Sequence, residues 1–114
     1  MEQAIYNFNP HVKGDTFEAL TFTVSVNEEP LTLTGASIRM HLRLAPLHPV
    51  AHELSTDEGH IAITDAVNGE FQIKKQIIDF PAALYWYDIE ITLANGDIKT
   101  YVAGKWQITQ DVTH

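Results

Sequence analysis

Hydrophobic residues recur at every second position over most of this chain, and a period of two rather than 3.6 marks half-buried β-strands. Within residues 17–26, Leu20, Phe22, Val24 and Val26 are apolar while Thr21, Thr23 and Ser25 are polar, which gives a strand one buried and one wet face. Asn27-Glu28-Glu29-Pro30 breaks that strand, and residues 31–34 read as a short strand or connector ending at Gly35. Ile38, Met40, Leu42 and Leu44 alternate with Arg39, His41 and Arg43 in a second clear strand. Residues 45–59, with Pro46 and Pro49, read as a long irregular excursion. Ile61 and Ile63, then Phe71 and Ile73, flank Asp65-Ala66-Val67-Asn68-Gly69, where Asn-Gly tolerates positive φ and closes a hairpin. Residues 83–93 put Tyr85, Tyr87, Ile89, Ile91 and Leu93 on one face, with Leu84, Trp86, Asp88, Glu90 and Thr92 on the other.

Asn95-Gly96 is the firmest local signal. With these two residues at the centre of a type I′ turn, Leu93 faces Ile98, Ile89 faces Val102 and Tyr85 faces Trp106. On the opposite face the same register sets Glu90 beside Tyr101 and Trp86 beside Lys105, close enough for a cation–π contact. No helix-period segment longer than about two turns and no internal repeat interrupts the strands. Seven to eight short strands separated by turn signals predict an all-β fold, an antiparallel β-sandwich with immunoglobulin-like topology. Asp79-Phe80-Pro81-Ala82-Ala83-Leu84-Tyr85 places a turn just before a Tyr that opens a long strand, as in a tyrosine corner, whose phenol bonds back to the preceding connection.

The chain has 114 residues, 45% of them hydrophobic, which predicts one domain over residues 1–114 with a core of its own. Zero cysteines remove disulfides, thiolate catalysis and sulfur-ligated zinc, so that core depends on packing alone. Seven Lys and Arg against 15 Asp and Glu give a net charge of -8, which argues against a nucleic-acid partner. No apolar run approaches the roughly 20 residues that span a bilayer, and the first residues lack the basic and apolar regions of a secretory signal. No membrane association is expected.

Six segments in order resemble a phage family, the N-terminal domain of the siphophage upper baseplate protein and its stand-alone relatives in prophage tail modules. They are Gly14-Asp15-Thr16-Phe17, residues 33–40 (Leu-Thr-Gly-Ala-Ser-Ile-Arg-Met), Leu54-Ser55-Thr56 before the strand at residues 61–64, Gly69-Glu70-Phe71-Gln72-Ile73, Tyr85-Trp86-Tyr87-Asp88-Ile89, and residues 104–113 beginning Gly104-Lys105-Trp106. The resemblance implies an immunoglobulin-like sandwich in a phage tail virion, first made in the host bacterial cytoplasm, that docks on the distal tail hub and on other tail or baseplate proteins. In longer members a helical linker leads on to a receptor-binding protein. The chain ends at His114 without such a linker, so a small structural or connector subunit is expected, acting as a homo-oligomer.

Two surface features are interface candidates. Arg39, His41 and Arg43 form an outward stripe in an acidic chain, either a solvated face or a contact for an acidic patch on a neighbouring copy or hub. Reversing Arg39 and Arg43 together is expected to abolish assembly and leave the melting temperature nearly unchanged. Trp86 and Tyr101 on one outer face are the second candidate, unless the 45–59 segment covers them. A carbohydrate-binding module is the alternative function, with Trp86, Tyr101 and Trp106 as stacking platforms, although the register turns Trp106 inward.

No enzymatic activity, metal or cofactor is expected. His48 and His52 have a four-residue spacing, but Pro46 and Pro49 argue against the helix that would make them converge, and the histidines read as solvent-exposed. Asp57-Glu58 and Glu28-Glu29 are neighbours in turns and do not converge. Asp15 reads as a turn residue that caps nearby backbone donors, and Asp111 as a tie for the C-terminus or a partner contact.

Overall fold

A computed structural model describes residues 4–110, and every regular element among them is a strand. In chain order the strands are β1 (Ala4–Ile5), β2 (His11–Val12), β3 (Thr16–Phe17), β4 (Leu20–Thr23), β5 (Ser25–Val26), β6 (Glu29–Pro30) and β7 (Ser37–Arg43). They continue with β8 (His52–Ser55), β9 (Ile61–Asp65), β10 (Glu70–Ile73), β11 (Gln76–Ile77), β12 (Ala83–Thr92) and β13 (Ile98–Thr109). The largest sheet runs β1-β13-β12-β7-β8, with β2 also on β13. A second has the order β4-β10-β9, and β11-β3 and β5-β6 are two-stranded. The all-β expectation holds, with more and shorter strands than seven to eight because the N-terminal third pairs in two-residue pieces.

Alternation sets the core. Ile38, Met40 and Leu42 of β7 stand opposite Ile91, Ile89 and Tyr87 of β12, and all six are buried. Each such aliphatic side chain contributes about 1.5–3 kcal/mol on leaving water. Phe71, Ile73 and Ile61 from the second sheet belong to the same buried cluster. An aromatic chain links the two sheets: Phe71 stacks on Phe22 at 5.3 Å, Phe22 lies 6.4 Å from Phe8, and Phe8 meets Trp106 at 4.7 Å and Tyr87 at 4.9 Å.

Phe8 reaches that position because the N-terminal segment runs parallel to β13 along its edge. Tyr6 N–H donates to the Ala103 carbonyl at 2.9 Å and Phe8 N–H to that of Lys105 at 3.0 Å. The Tyr87 hydroxyl donates to the Tyr6 carbonyl from β12. Gly104 makes this approach possible, since a Cβ there would overlap the Tyr6 carbonyl oxygen.

The Asn95-Gly96 turn differs from the expected one by a residue. Only Gly96 has positive φ (95°), Gly96 N–H donates to Leu93 O at 2.9 Å, and Leu93 N–H donates to Asp97 O at 2.8 Å. The connection is therefore a three-residue loop, and Ile98 pairs with Thr92 instead of Leu93. A bulge beside Ile89 absorbs the offset, so the predicted pairs Ile89 with Val102 and Tyr85 with Trp106 are recovered. Glu90 then faces Thr100, and Tyr101 is the extra bulge residue. Trp86 does stand beside Lys105.

One other segment departs from expectation. Residues 45–59 contain a strand, β8, that pairs with β7 and buries Leu54 and Ser55; its alternation escapes notice because Leu54 is its only apolar residue. Residues 31–34 are the connector of the two readings offered, with Leu33 fully buried and donating its N–H to Ala66 O at 2.7 Å. The break at Asn27-Glu28 is itself a hairpin turn between β5 and β6, with both residues at positive φ (54° and 68°). Asp15 serves its turn through backbone groups, accepting from Ile78 N–H at 3.3 Å and donating to Val12 O at 3.0 Å. Asp111 lies outside the described residues.

Candidate interaction surface

The polar positions of β7, β12 and β13 share the outer face of the largest sheet. Arg39 is exposed, as expected, and faces Glu90 across the strand pair. Arg43 and His41 are not free. Arg43 Nη1 donates to Asp88 Oδ2 at 2.7 Å, with the two side chains only 23% and 27% exposed. His41 is 15% exposed and lies between two carboxylates, 3.0 Å from Glu53 Oε2 and 3.8 Å from Asp88 Oδ1. The free cationic stripe therefore reduces to Arg39. Contacts within the chain take up the other two, because Asp88 and Glu53 stand opposite His41 on the flanking strands and Asp88 also reaches Arg43.

Trp86 sits between cations, with Arg43 opposite on β7 and Lys105 opposite on β13. The Lys105 ammonium lies 4.4 Å from the Trp86 ring centroid. An open groove of about 610 Å³ runs over this face, lined by Ile5, Arg43, Pro46, Trp86, Asp88 and Lys105 among others. Two of the five candidates from sequence, Arg43 and Trp86, line it. Tyr101 does not, because the bulge turns it into the buried cluster, where it is 4% exposed. Trp106 is fully buried. Of the three stacking aromatics considered for carbohydrate, only Trp86 reaches the surface.

Pro46 belongs to the connection between β7 and β8, whose ends are held by Ala51 N–H donating to Leu42 O at 2.8 Å. His48 N–H donates to Ala45 O at 3.0 Å and folds the tip into a tight turn. This stretch carries no Asp, Glu, Lys or Arg. Leu47 at its tip is 98% exposed, and Leu44 and Val50 are exposed on either side. The sequence reading of residues 45–59 as an irregular excursion gave no sign of this apolar tip, whose exposure depends on the turn.

A second cluster forms where β8 meets the start of β12. Tyr85 donates its hydroxyl to the Pro81 carbonyl at 2.7 Å, as the tyrosine-corner reading expected. His52 stacks on Phe80 at 4.3 Å, and its Nε2 lies 3.5 Å from the Tyr85 hydroxyl. Burial lowers the His52 pKa from its ordinary 6.5 and raises that of Tyr85. The expectation of exposed histidines thus fails for His52, His41 and His60, and for His11, which is partly buried in β2. His60 Nδ1 accepts from Ser55 N–H at 3.3 Å, its ring held by the turn after β8.

Among the described residues, no three His, Asp or Glu side chains gather as metal ligands. Glu28, Asp57 and Glu58 are exposed in turns, and Glu29 is exposed at the start of β6. Compared with protein-family models and with curated proteins, the chain matches none.

Proposed function

We propose that this chain is an immunoglobulin-like β-sandwich that serves as a structural, protein-binding subunit of a phage or prophage tail or baseplate, with no turnover of substrate. Strand order supports the fold half of this reading. The sequence β13-β12-β7-β8 corresponds to strands G, F, C and C′ of a variable-type domain, and β4-β10-β9 to B, E and D. Tyr85 then opens strand F, where the tyrosine corner belongs, and buried Tyr87 occupies the place of that strand's cysteine. The aromatic chain from Phe71 to Trp106 fits two layers packed face to face.

One observation carries the functional half: the outer face of β7, β12 and β13 presents a groove lined by a half-buried Trp, paired charges and Pro46, whose next residue, Leu47, is 98% exposed. Desolvated aromatics inside a polar rim are the anatomy of a protein interface. The tail assignment comes from the six ordered segments, and its partners are the distal tail hub and neighbouring baseplate proteins. In that setting the chain is made in the host bacterial cytoplasm and ends in the virion.

The test is the composition of particles. After induction of the strain that carries the gene, particles purified by density gradient are probed for the chain with an antibody. Presence in the tail fraction is the expected result. Abundant chain in the lysate with none in the tails overturns the reading.

A further inference from the structure

We infer that the groove over Trp86 is the seat of the Leu47 tip of a second copy of this chain, in a reciprocal contact about a two-fold axis. The inference deepens the protein-binding reading above by naming a partner, and it stands independently of the tail.

Charge argues for a second copy. The whole chain has seven Lys and Arg against 15 Asp and Glu, so most of its surface repels another copy. The outer face is different. Arg39, Arg43 and Lys105 gather there with Glu53, Asp88 and Glu90, and these six are balanced in sign. Arg43 and Asp88 are already paired within the chain, so under a two-fold axis this face meets its mate without net repulsion, whereas a strongly acidic or basic partner leaves one sign unmatched.

Shape argues the same way. A two-fold contact requires knob and hole on one patch, since whatever a residue does for its mate the mate returns. Pro46 lines the groove, and Leu47 is the next residue, at the tip of an uncharged connection. Leu84 lies on the same side of β12 as Trp86, two residues away, and is also exposed. A fully exposed Leu beside an aromatic-floored groove is an anchor and its pocket on a single surface.

Sedimentation velocity tests this on the full chain from about 1 to about 200 µM, the range in which a small interface of this kind associates. A concentration-dependent dimer is expected. Leu47→Asp should weaken it by at least about tenfold, with circular dichroism and melting temperature unchanged because Leu47 touches so little of its own chain. Val67→Asp, on the exposed β9–β10 turn, should leave the dimer intact. A chain monomeric at every concentration, or a dimer indifferent to Leu47→Asp, overturns the inference. A monomer still present in tail particles sinks only this inference, while a Leu47-dependent dimer absent from particles sinks only the tail reading.

Discussion

The hydroxyl of Tyr85 donates to the carbonyl oxygen of Pro81, four residues back, at 2.7 Å. That bond fixes the chain at its entry into β12, the strand that pairs on both sides and supplies four buried residues to the core. Tyr85→Phe keeps the ring and removes only the donor, leaving the carbonyl unsatisfied in a part-buried place. A loss of about 1–2 kcal/mol is expected in urea denaturation, at unchanged slope.

The His52 ring, stacked on Phe80 and close to that hydroxyl, makes stability depend on pH. Burial depresses its folded pKa below the ordinary 6.5, so the unfolded chain binds the proton more readily than the native one. The stability associated with neutral His52 is therefore fully present above pH 6.5 and is lost as pH falls below that value toward the folded pKa. His52→Gln should flatten this part of the stability curve. Chemical denaturation of both proteins at a series of pH values checks it, and parallel curves would count against the burial argument.

At the β5–β6 turn, Glu28 has φ of 68°, a left-handed conformation that costs a side-chain-bearing residue about 1–2 kcal/mol. Glu28→Gly relieves that strain and adds freedom to the unfolded chain, two effects of opposite sign. A net gain of about 0.5 kcal/mol is expected from denaturant midpoints. Asn27→Ala should move the midpoint the other way.

Gly104 holds the N-terminal segment against β13. A methyl group there overlaps the Tyr6 carbonyl, and the obstacle is backbone. Gly104→Ala should cost about 2–4 kcal/mol and release residues 4–12 first, because Phe8 would lose its seat among Tyr87 and Trp106. Hydrogen exchange at the Tyr6 and Phe8 amides reports this directly, since both are bonded to β13.

What the sequence made legible follows from these cases. Strands β7, β12 and β13 were visible because one face is apolar and the other polar over many residues, and Tyr85 because a turn immediately precedes it. Trp86 and Arg43 could be assigned to the outer face by parity alone. Tyr101 could not, since parity fails at a bulge and a slip of one residue exchanges the faces. The turn that created that slip carries Asn-Gly without adopting the expected form, while the double positive-φ turn falls on Asn27-Glu28, which lacks the glycine signature. Asp88 as the partner of Arg43 was hidden by distance along the chain, since the two are 45 residues apart and meet only through the β7–β12 register.

That pairing changes what charge reversal does on the outer face. Arg39 has no ion pair among the described residues, so Arg39→Glu should shift stability by no more than about 0.5 kcal/mol. Arg43→Glu replaces a short, part-buried bridge with two facing carboxylates and should cost about 1–2 kcal/mol after allowance for solvent screening. The double reversal expected from sequence to spare the fold would therefore lower the melting temperature, and a defect in assembly could not then be read as interface loss. Arg43→Asp with Asp88→Arg restores the pair in the opposite sense. Recovery of most of the stability in that double variant, measured as a thermodynamic cycle, isolates the bridge itself. Additive losses instead would mean that the two residues act separately, Arg43 through the packing of its aliphatic stem and Asp88 through its longer contact with His41.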